Sequence, residues 1–242
     1  MARNLFTRII FLLCFLSFNL ANAQLDILRN NSKNLKNILK VNTLSKSEVS
    51  LALTEALNIA IDKSCSYAGT KNSFYSYEKI RIPFPKEIRH VKSALLRLGL
   101  ENTVLNFEKK INLTAEYVSL QASEIILESV SNLNIKDAVN ILNGEDNAAT
   151  NYLRENSSEK LYASFLPIVK SEMLNTRAQE GLDVIISKYN KIPFAKNVKF
   201  NLSHYITLKT IDGLFVLIAE QEKEIRTNKT ARTSDLLIKI FK

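Results

Sequence analysis

The sequence predicts an all-α fold: an irregular multi-helix bundle crossed by one extended Pro/aromatic segment near residues 72–86. Two observations carry this. Only 5 Gly and 4 Pro occur in 242 residues, too few punctuators for a turn-dense β architecture. Apolar residues also recur at three- and four-residue intervals along most of the chain, the period of a helix with one buried face.

The chain opens with a leader. Arg3 and Arg8 precede an apolar run from Ile9 to Leu20, and Ala21-Asn22-Ala23 has the form of an A-x-A cleavage site before Gln24. A run of about 12 residues is too short to span a bilayer, which needs ~20. Residues 1–23 are therefore expected to be a removed signal peptide, giving a periplasmic or secreted protein. No later apolar run is expected to reach spanning length, so the mature protein should be soluble. Cys14 follows Leu12-Leu13, a poor lipoprotein site, so no lipid anchor is expected. Cys65 is then the one mature thiol and reads as a small buried hydrophobe rather than a nucleophile.

Residues 24–44 are rich in Asn, Lys and Ser and read as a spacer or weak helix. Residues 45–242 are expected to form a single helical domain. Ser45-Lys46-Ser47-Glu48 has the form of a capping box; with the stripe Val49, Leu53, Ala56, Leu57, Ala60 and Ile61 it predicts a helix over 46–68, stopped by Gly69. Pro83 and Pro85 then force an extended path. Lys86 to Leu98 resumes the helical period, and Gly99 falls at the C′ position.

One long helix is predicted from Glu101 to about Asn132. Asn134 reads as the N-cap of a short helix closed by Asn143-Gly144, and Asp146 as the cap of the next. A capped start is predicted at Asn156-Ser157-Ser158-Glu159, with Pro167 kinking or dividing the run behind it. Leu182, Ile185, Ile186 and Tyr189 mark a helix ending before Pro193, where Ile192-Pro193-Phe194 echoes Ile82-Pro83-Phe84. A strongly patterned helix begins at Leu202-Ser203 and ends with Glu220, Glu222 and Glu224. Thr233 is the expected cap of a terminal helix.

Chemistry-bearing patterns are sparse. The two histidines, His90 and His204, belong to no zinc spacing, and no P-loop, nucleotide fingerprint or nucleophile elbow is present. No metal and no cofactor is expected. Net charge is +9, about +7 without the leader. The lysines and arginines are scattered and no nucleic-acid motif accompanies them, so no nucleic-acid partner is expected. Phe74, Tyr75, Tyr77, Ile82 and Phe84 form a candidate ligand-facing strip; sealing the core is the alternative reading. Asp212, Arg226 and Arg232 are candidate ion-pairing residues, at least one arginine being expected to bridge helix-end carbonyls or a carboxylate. Glu222 and Arg226, at i and i+4, can pair on a helix surface.

Three blocks together resemble a known family. They are Ile80-Arg81-Ile82-Pro83-Phe84-Pro85 with Leu98-Gly99-Leu100, then Asp137-Ala138 through Gly144 to Asn147-Ala148-Ala149-Thr150, and Asp212-Gly213-Leu214-Phe215 through Ile225-Arg226 to Ala231-Arg232-Thr233. The chain is similar over about residues 46–242 to the bacterial family catalogued as domain of unknown function 4197. That resemblance implies an envelope location and a helical fold, and carries no activity with it. The function expected is a non-catalytic envelope binding or interaction protein for an apolar or anionic ligand, with an envelope protein or a lipid-like molecule as partner. The alternative is an envelope hydrolase using His204, Asp212 and Glu220.

Overall fold

The structure, a computed structural model, describes residues 45–131 and 135–241. The expected leader, the spacer, Cys14 and the Asn134 cap lie outside the described residues. Among the described residues there is no strand. The helices are α1 (Lys46–Ala68), α2 (Ser73–Ser76), α3 (Arg89–Arg97), α4 (Glu101–Ser119), α5 (Ala122–Val130), α6 (Ile135–Leu142), α7 (Ala148–Thr176), α8 (Ala178–Asn190), α9 (Leu202–Thr227) and α10 (Asp235–Ile240). Short 3₁₀ turns at Lys86–Ile88 and Lys229–Ala231 lead into α3 and α10.

Local rules set several boundaries. The Ser45 N–H donates to the Glu48 carboxylate at 2.9 Å and the Glu48 N–H to Ser45 Oγ at 3.1 Å, the reciprocal bonds of a capping box. At the end of α3 the Leu100 N–H reaches the Leu95 carbonyl and the Gly99 N–H the Leu96 carbonyl, both at 3.0 Å. Gly99 sits at φ 70°. This is a Schellman stop, for which glycine is the unstrained residue.

Other boundaries are tertiary, and correct the sequence reading. The single helix expected from Glu101 to Asn132 breaks after Ser119, where Gln121 donates to the carbonyl three residues back at 3.0 Å. The turn re-aims α5 so that Ala122, Ile126 and Val130 are buried and Ser123 donates to Asp62 of α1 at 2.6 Å. Conversely, no start exists at Asn156: α7 runs unbroken through Ser157, Ser158 and Pro167. Ser157 and Ser158 turn their hydroxyls back onto the Leu153 and Arg154 carbonyls. Pro167 and Ala163 both lie on the exposed face, so the carbonyl that Pro167 cannot serve faces water. Ser234, not Thr233, caps α10, accepting the Leu237 N–H at 3.2 Å.

Helix α9 is the axis of the packing. It lies chiefly against α7 and also against α4, which in turn meets α7 and α8. By length and composition an 18-residue window of it could cross a membrane, so the expectation that no later run reaches spanning length does not hold. Of that window, 56% is buried by neighbouring helices. Phe74, Phe107, Phe165 and Phe215 are among the largest fully enclosed side chains.

Candidate functional site

Residues 77–85 form a strap, a turn over 78–80 followed by an extended run over 81–85, gripped from two sides. Helix α4 presents Glu108, Asn112 and Glu116, one turn apart on one face. The Asn112 amide accepts the Ile82 N–H and donates to the Ile82 carbonyl, both at 2.8 Å, doing for an isolated extended residue what a paired strand would do. Glu108 accepts from Lys92 at 2.7 Å and Arg81 at 3.5 Å. Glu116 accepts the Asn72 N–H at 3.1 Å. Burial pushes the Glu116 carboxyl above its ordinary 4.5, against the opposing pull of backbone N–H groups at Asn72, Phe74 and Tyr75.

On the other side the strap rests on α9. The Tyr205 hydroxyl donates to the Pro83 carbonyl at 2.9 Å. The Tyr77 hydroxyl and Lys79 both donate to Glu220, at 2.6 and 2.5 Å. A Cβ at Gly213 would stand 2.8 Å from Phe74 Cε1 and 3.3 Å from Ile80 Cβ. Only glycine lets the strap lie this close to the helix.

Between strap and α9 runs a cleft of about 330 Å³, within the size range of small-molecule sites. Ile80, Pro83, Tyr205, Gly213 and Val216 give it apolar surface, and Lys79, Arg81, Lys86 and Lys209 bring positive charge against Glu87 and Asp212. Lys209 and Arg154 share Asp212 at 3.2 Å each. Arg81 lies over the Tyr75 ring at 4.1 Å. Lys86 is exposed and forms no ion pair among the described residues. Burial, then the charges of Glu87 and Glu108, push the Tyr205 hydroxyl far above its usual 10.0, so it serves as a neutral donor. A more open depression continues past Lys79 and Val216 to Asp146, Glu220 and Lys223.

The five residues of the aromatic strip divide. Phe74, Ile82 and Phe84 are core residues, at most 5% exposed, and Phe84 meets Phe107 edge-on at 5.5 Å. Tyr75 lies under Arg81 and Tyr77 is bound to Glu220. None of the five lines the cleft wall; they fix the strap from beneath and at its ends. His204, Asp212 and Glu220 are spaced eight residues apart on α9, roughly 12 Å of axial rise for each step. Each has separate partners: His204 Nδ1 meets the Tyr162 hydroxyl at 2.7 Å, Asp212 meets Arg154 and Lys209, and Glu220 meets Tyr77 and Lys79. They do not converge. Among the described residues no three His, Cys, Asp or Glu side chains gather as a metal site requires.

Asp212 does not meet Arg226 or Arg232. Arg226 pairs with Glu222 at 2.9 Å, and both side chains are under 10% exposed. Arg226 also donates to the Ile141 and Leu142 carbonyls at 2.9 and 3.2 Å. Arg232 donates to the Ile225 and Arg226 carbonyls at 2.9 and 2.8 Å, the helix-end bridging expected of these arginines. The cap of α7 comes from Glu222 rather than Asp146: its carboxylate accepts the Ala149 and Thr150 N–H groups at 2.9 and 2.8 Å.

Sequence reasoning passed over Lys79, Arg81, Lys86, Tyr205 and Lys209 as scattered surface charge and helical stripe. It also passed over the α4 ladder, whose signal was present as polar residues at 108, 112 and 116 beside an apolar stripe of the same period. A family model described as "Protein of unknown function (DUF4197)" matches residues 43–242, which include the strap, the cleft and the Glu222–Arg226 pair. No curated protein matches, and no solved structure matches. By a match over most of its length, the chain belongs to this family of unknown function.

Proposed function

We propose that this is an exported, non-catalytic binding protein of the cell envelope, whose ligand is a small amphiphilic anion held in the cleft between strap and α9. The observation that carries the reading is the cleft itself: apolar side chains ringed by four cationic residues and two acids. A carboxylate or phosphate would meet Lys86 and Lys209, while an aliphatic body would cover Ile80, Pro83 and Val216. The envelope location rests on Arg3, Arg8, the apolar run and Ala21-Asn22-Ala23. The absence of convergence among His204, Asp212 and Glu220 weighs against the hydrolase alternative.

Isothermal titration with decanoate as probe, and inorganic phosphate and decanol as controls, tests the ligand class. Decanoate should bind more tightly than either control, and Lys86→Ala with Lys209→Ala should weaken it at least about tenfold, since two charge-assisted contacts are lost. Absence of decanoate binding, or equal binding by the double variant, overturns the reading. The location is tested by the mature N-terminus in periplasmic extract, expected at Gln24. Accumulation of the uncut chain in the cytoplasm would count against export.

A further inference from the structure

Phe194 is the one phenylalanine among the described residues that packs on nothing, with 103% of its reference surface exposed. The others at 74, 84, 107, 165, 215 and 241 are buried, and Phe200 leans on Tyr205 with ring centroids 5.6 Å apart. Phe194 sits at the tip of the connection between α8 and α9. The Ala195 N–H donates to the Ile192 carbonyl at 3.1 Å, closing a four-residue turn. Pro193 takes its second position and Phe194, at φ 62°, its third. That is the pattern of a type II turn, whose third position ordinarily takes glycine. A bulky side chain is thus held in left-handed backbone, a conformation strained for it, at a point where it gains no packing in return.

The chain on either side of this tip is charged with one sign. From Val184 to Ile211 the chain contains no Asp or Glu. Lys191, Lys196 and Lys199 flank the tip, all exposed and none paired with a carboxylate among the described residues. A fully exposed aromatic flanked in the chain by three exposed, unpaired lysines is complementary to one kind of surface. Anionic headgroups at the water interface attract the lysines, and the acyl boundary beneath them accepts the ring.

We propose that residues 191–199 form an interfacial docking loop that seats Phe194 in an anionic lipid bilayer, with Lys191, Lys196 and Lys199 on the headgroup phosphates. One ring and three lysines give weak, reversible, salt-sensitive attachment. The inference is independent of the cleft, since none of the cleft-lining residues lies in this loop.

The chain contains no tryptophan, so Phe194→Trp places a single tryptophan at the tip, which can be excited apart from the tyrosines and reads insertion there, whatever the leader does. With vesicles of phosphatidylglycerol and phosphatidylcholine, its emission should move to shorter wavelength; with phosphatidylcholine alone it should not, and added salt should reverse the shift. Replacing the three lysines by alanine in the same background should weaken vesicle partitioning at least about tenfold. In the otherwise native chain, Phe194→Ala should weaken sedimentation with anionic vesicles by a similar factor. Four outcomes would each overturn the proposal: unshifted emission on anionic vesicles, an equal shift on neutral ones, insensitivity to the lysine substitutions, or cosedimentation unchanged by Phe194→Ala.

Discussion

The Arg226 guanidinium lies 2.9 Å from the Glu222 carboxylate, and the two charges face opposite poles of two different helices. The carboxylate receives the first N–H groups of α7, and the guanidinium donates to the last carbonyls of α6. Each charge therefore meets the helix end of complementary sign, and groups that would be orphaned at a buried junction are satisfied. Thr150 adds its hydroxyl to Glu222 at 2.7 Å, and the Arg226 guanidinium stands over the Phe241 ring at 5.5 Å. Three helices and the C-terminal residues are joined at one ion pair on α9.

A double-mutant cycle measures this joint. Glu222→Gln leaves a buried cation unpaired and should cost about 3–5 kcal/mol in urea unfolding. Arg226→Met should cost a similar amount, through the stranded carboxylate and the Ile141 and Leu142 carbonyls. The double variant should be more stable than the sum of the two losses implies, by about 0.5–3 kcal/mol. Strict additivity would mean the two residues act separately.

Arg232 closes the far end of α9. Its side chain is buried and its two carbonyl bonds finish the last turn before α10. Arg232→Ala should cost about 2 kcal/mol, the loss of charge-assisted bonds, and lower Tm by about 4–8 °C for a domain of this size. An unchanged thermal melt would show that the guanidinium carries no load there.

How far the sequence revealed this molecule depends on how local each cause is. The capping box at Ser45 and the Schellman stop at Gly99 need only a few adjacent residues, and both were legible. The break at Leu120 was not, because no Gly or Pro marks it and its cause is the packing of α5. The continuity of α7 was hidden for the opposite reason: Ser157, Ser158 and Pro167 read by type as a start and a break, but the serine hydroxyls bond back to the Leu153 and Arg154 carbonyls and Pro167 lies on the exposed face. The Glu222–Arg226 pairing was legible from its spacing, but its burial was not, because only the distant start of α7 explains it. The paired motifs Ile82-Pro83-Phe84 and Ile192-Pro193-Phe194 make the same point at the candidate sites. Phe84 is enclosed and Phe194 is bare, a difference set by what each turn faces rather than by the tripeptide.

Gly213 tests the seating of the strap. Gly213→Ala puts a methyl group 2.8 Å from the Phe74 ring and 3.3 Å from Ile80 Cβ, closer than packed carbon atoms stand. The expected cost is about 1–3 kcal/mol despite the better helix propensity of alanine. Binding in the cleft should weaken with it, because Ile80 forms part of the wall. A more stable Gly213→Ala protein would show that strap and helix are not in close contact.

The Tyr77–Glu220–Lys79 cluster supplies a pH dependence. Burial alone would raise the Glu220 carboxyl, but the hydrogen bonds from Lys79 and Tyr77 outweigh it and hold the group below 4.5. A depressed carboxyl contributes stability that is fully present above its unfolded value and is lost as pH falls through the folded one. The Tm gap between the native chain and Glu220→Gln should therefore be widest near neutral pH and should close as pH falls below 4.5. A gap constant from pH 7 to pH 3 would contradict the assignment.

Cys65 should be chemically silent. It is buried, as are Ala60, Ile61 and Ala68 of the same helix, and burial, reinforced by the charge of Asp62, pushes its thiol from 9.0 up to about 12. The thiolate is the reactive form. At pH 8 a shift of this size cuts the thiolate fraction about a thousandfold relative to an unfolded chain. In a Cys14→Ser chain, DTNB should leave Cys65 unmodified at pH 8 and titrate one thiol once urea is added. The sign on the alkaline side follows: the unfolded thiol ionises near 9.0 while the folded one stays protonated, so stability falls as pH rises from 9 toward 12. Cys65→Ala removes that slope at the expense of a small cavity. Rapid labelling of the native protein would place the thiol at the surface and undo the packing of α1.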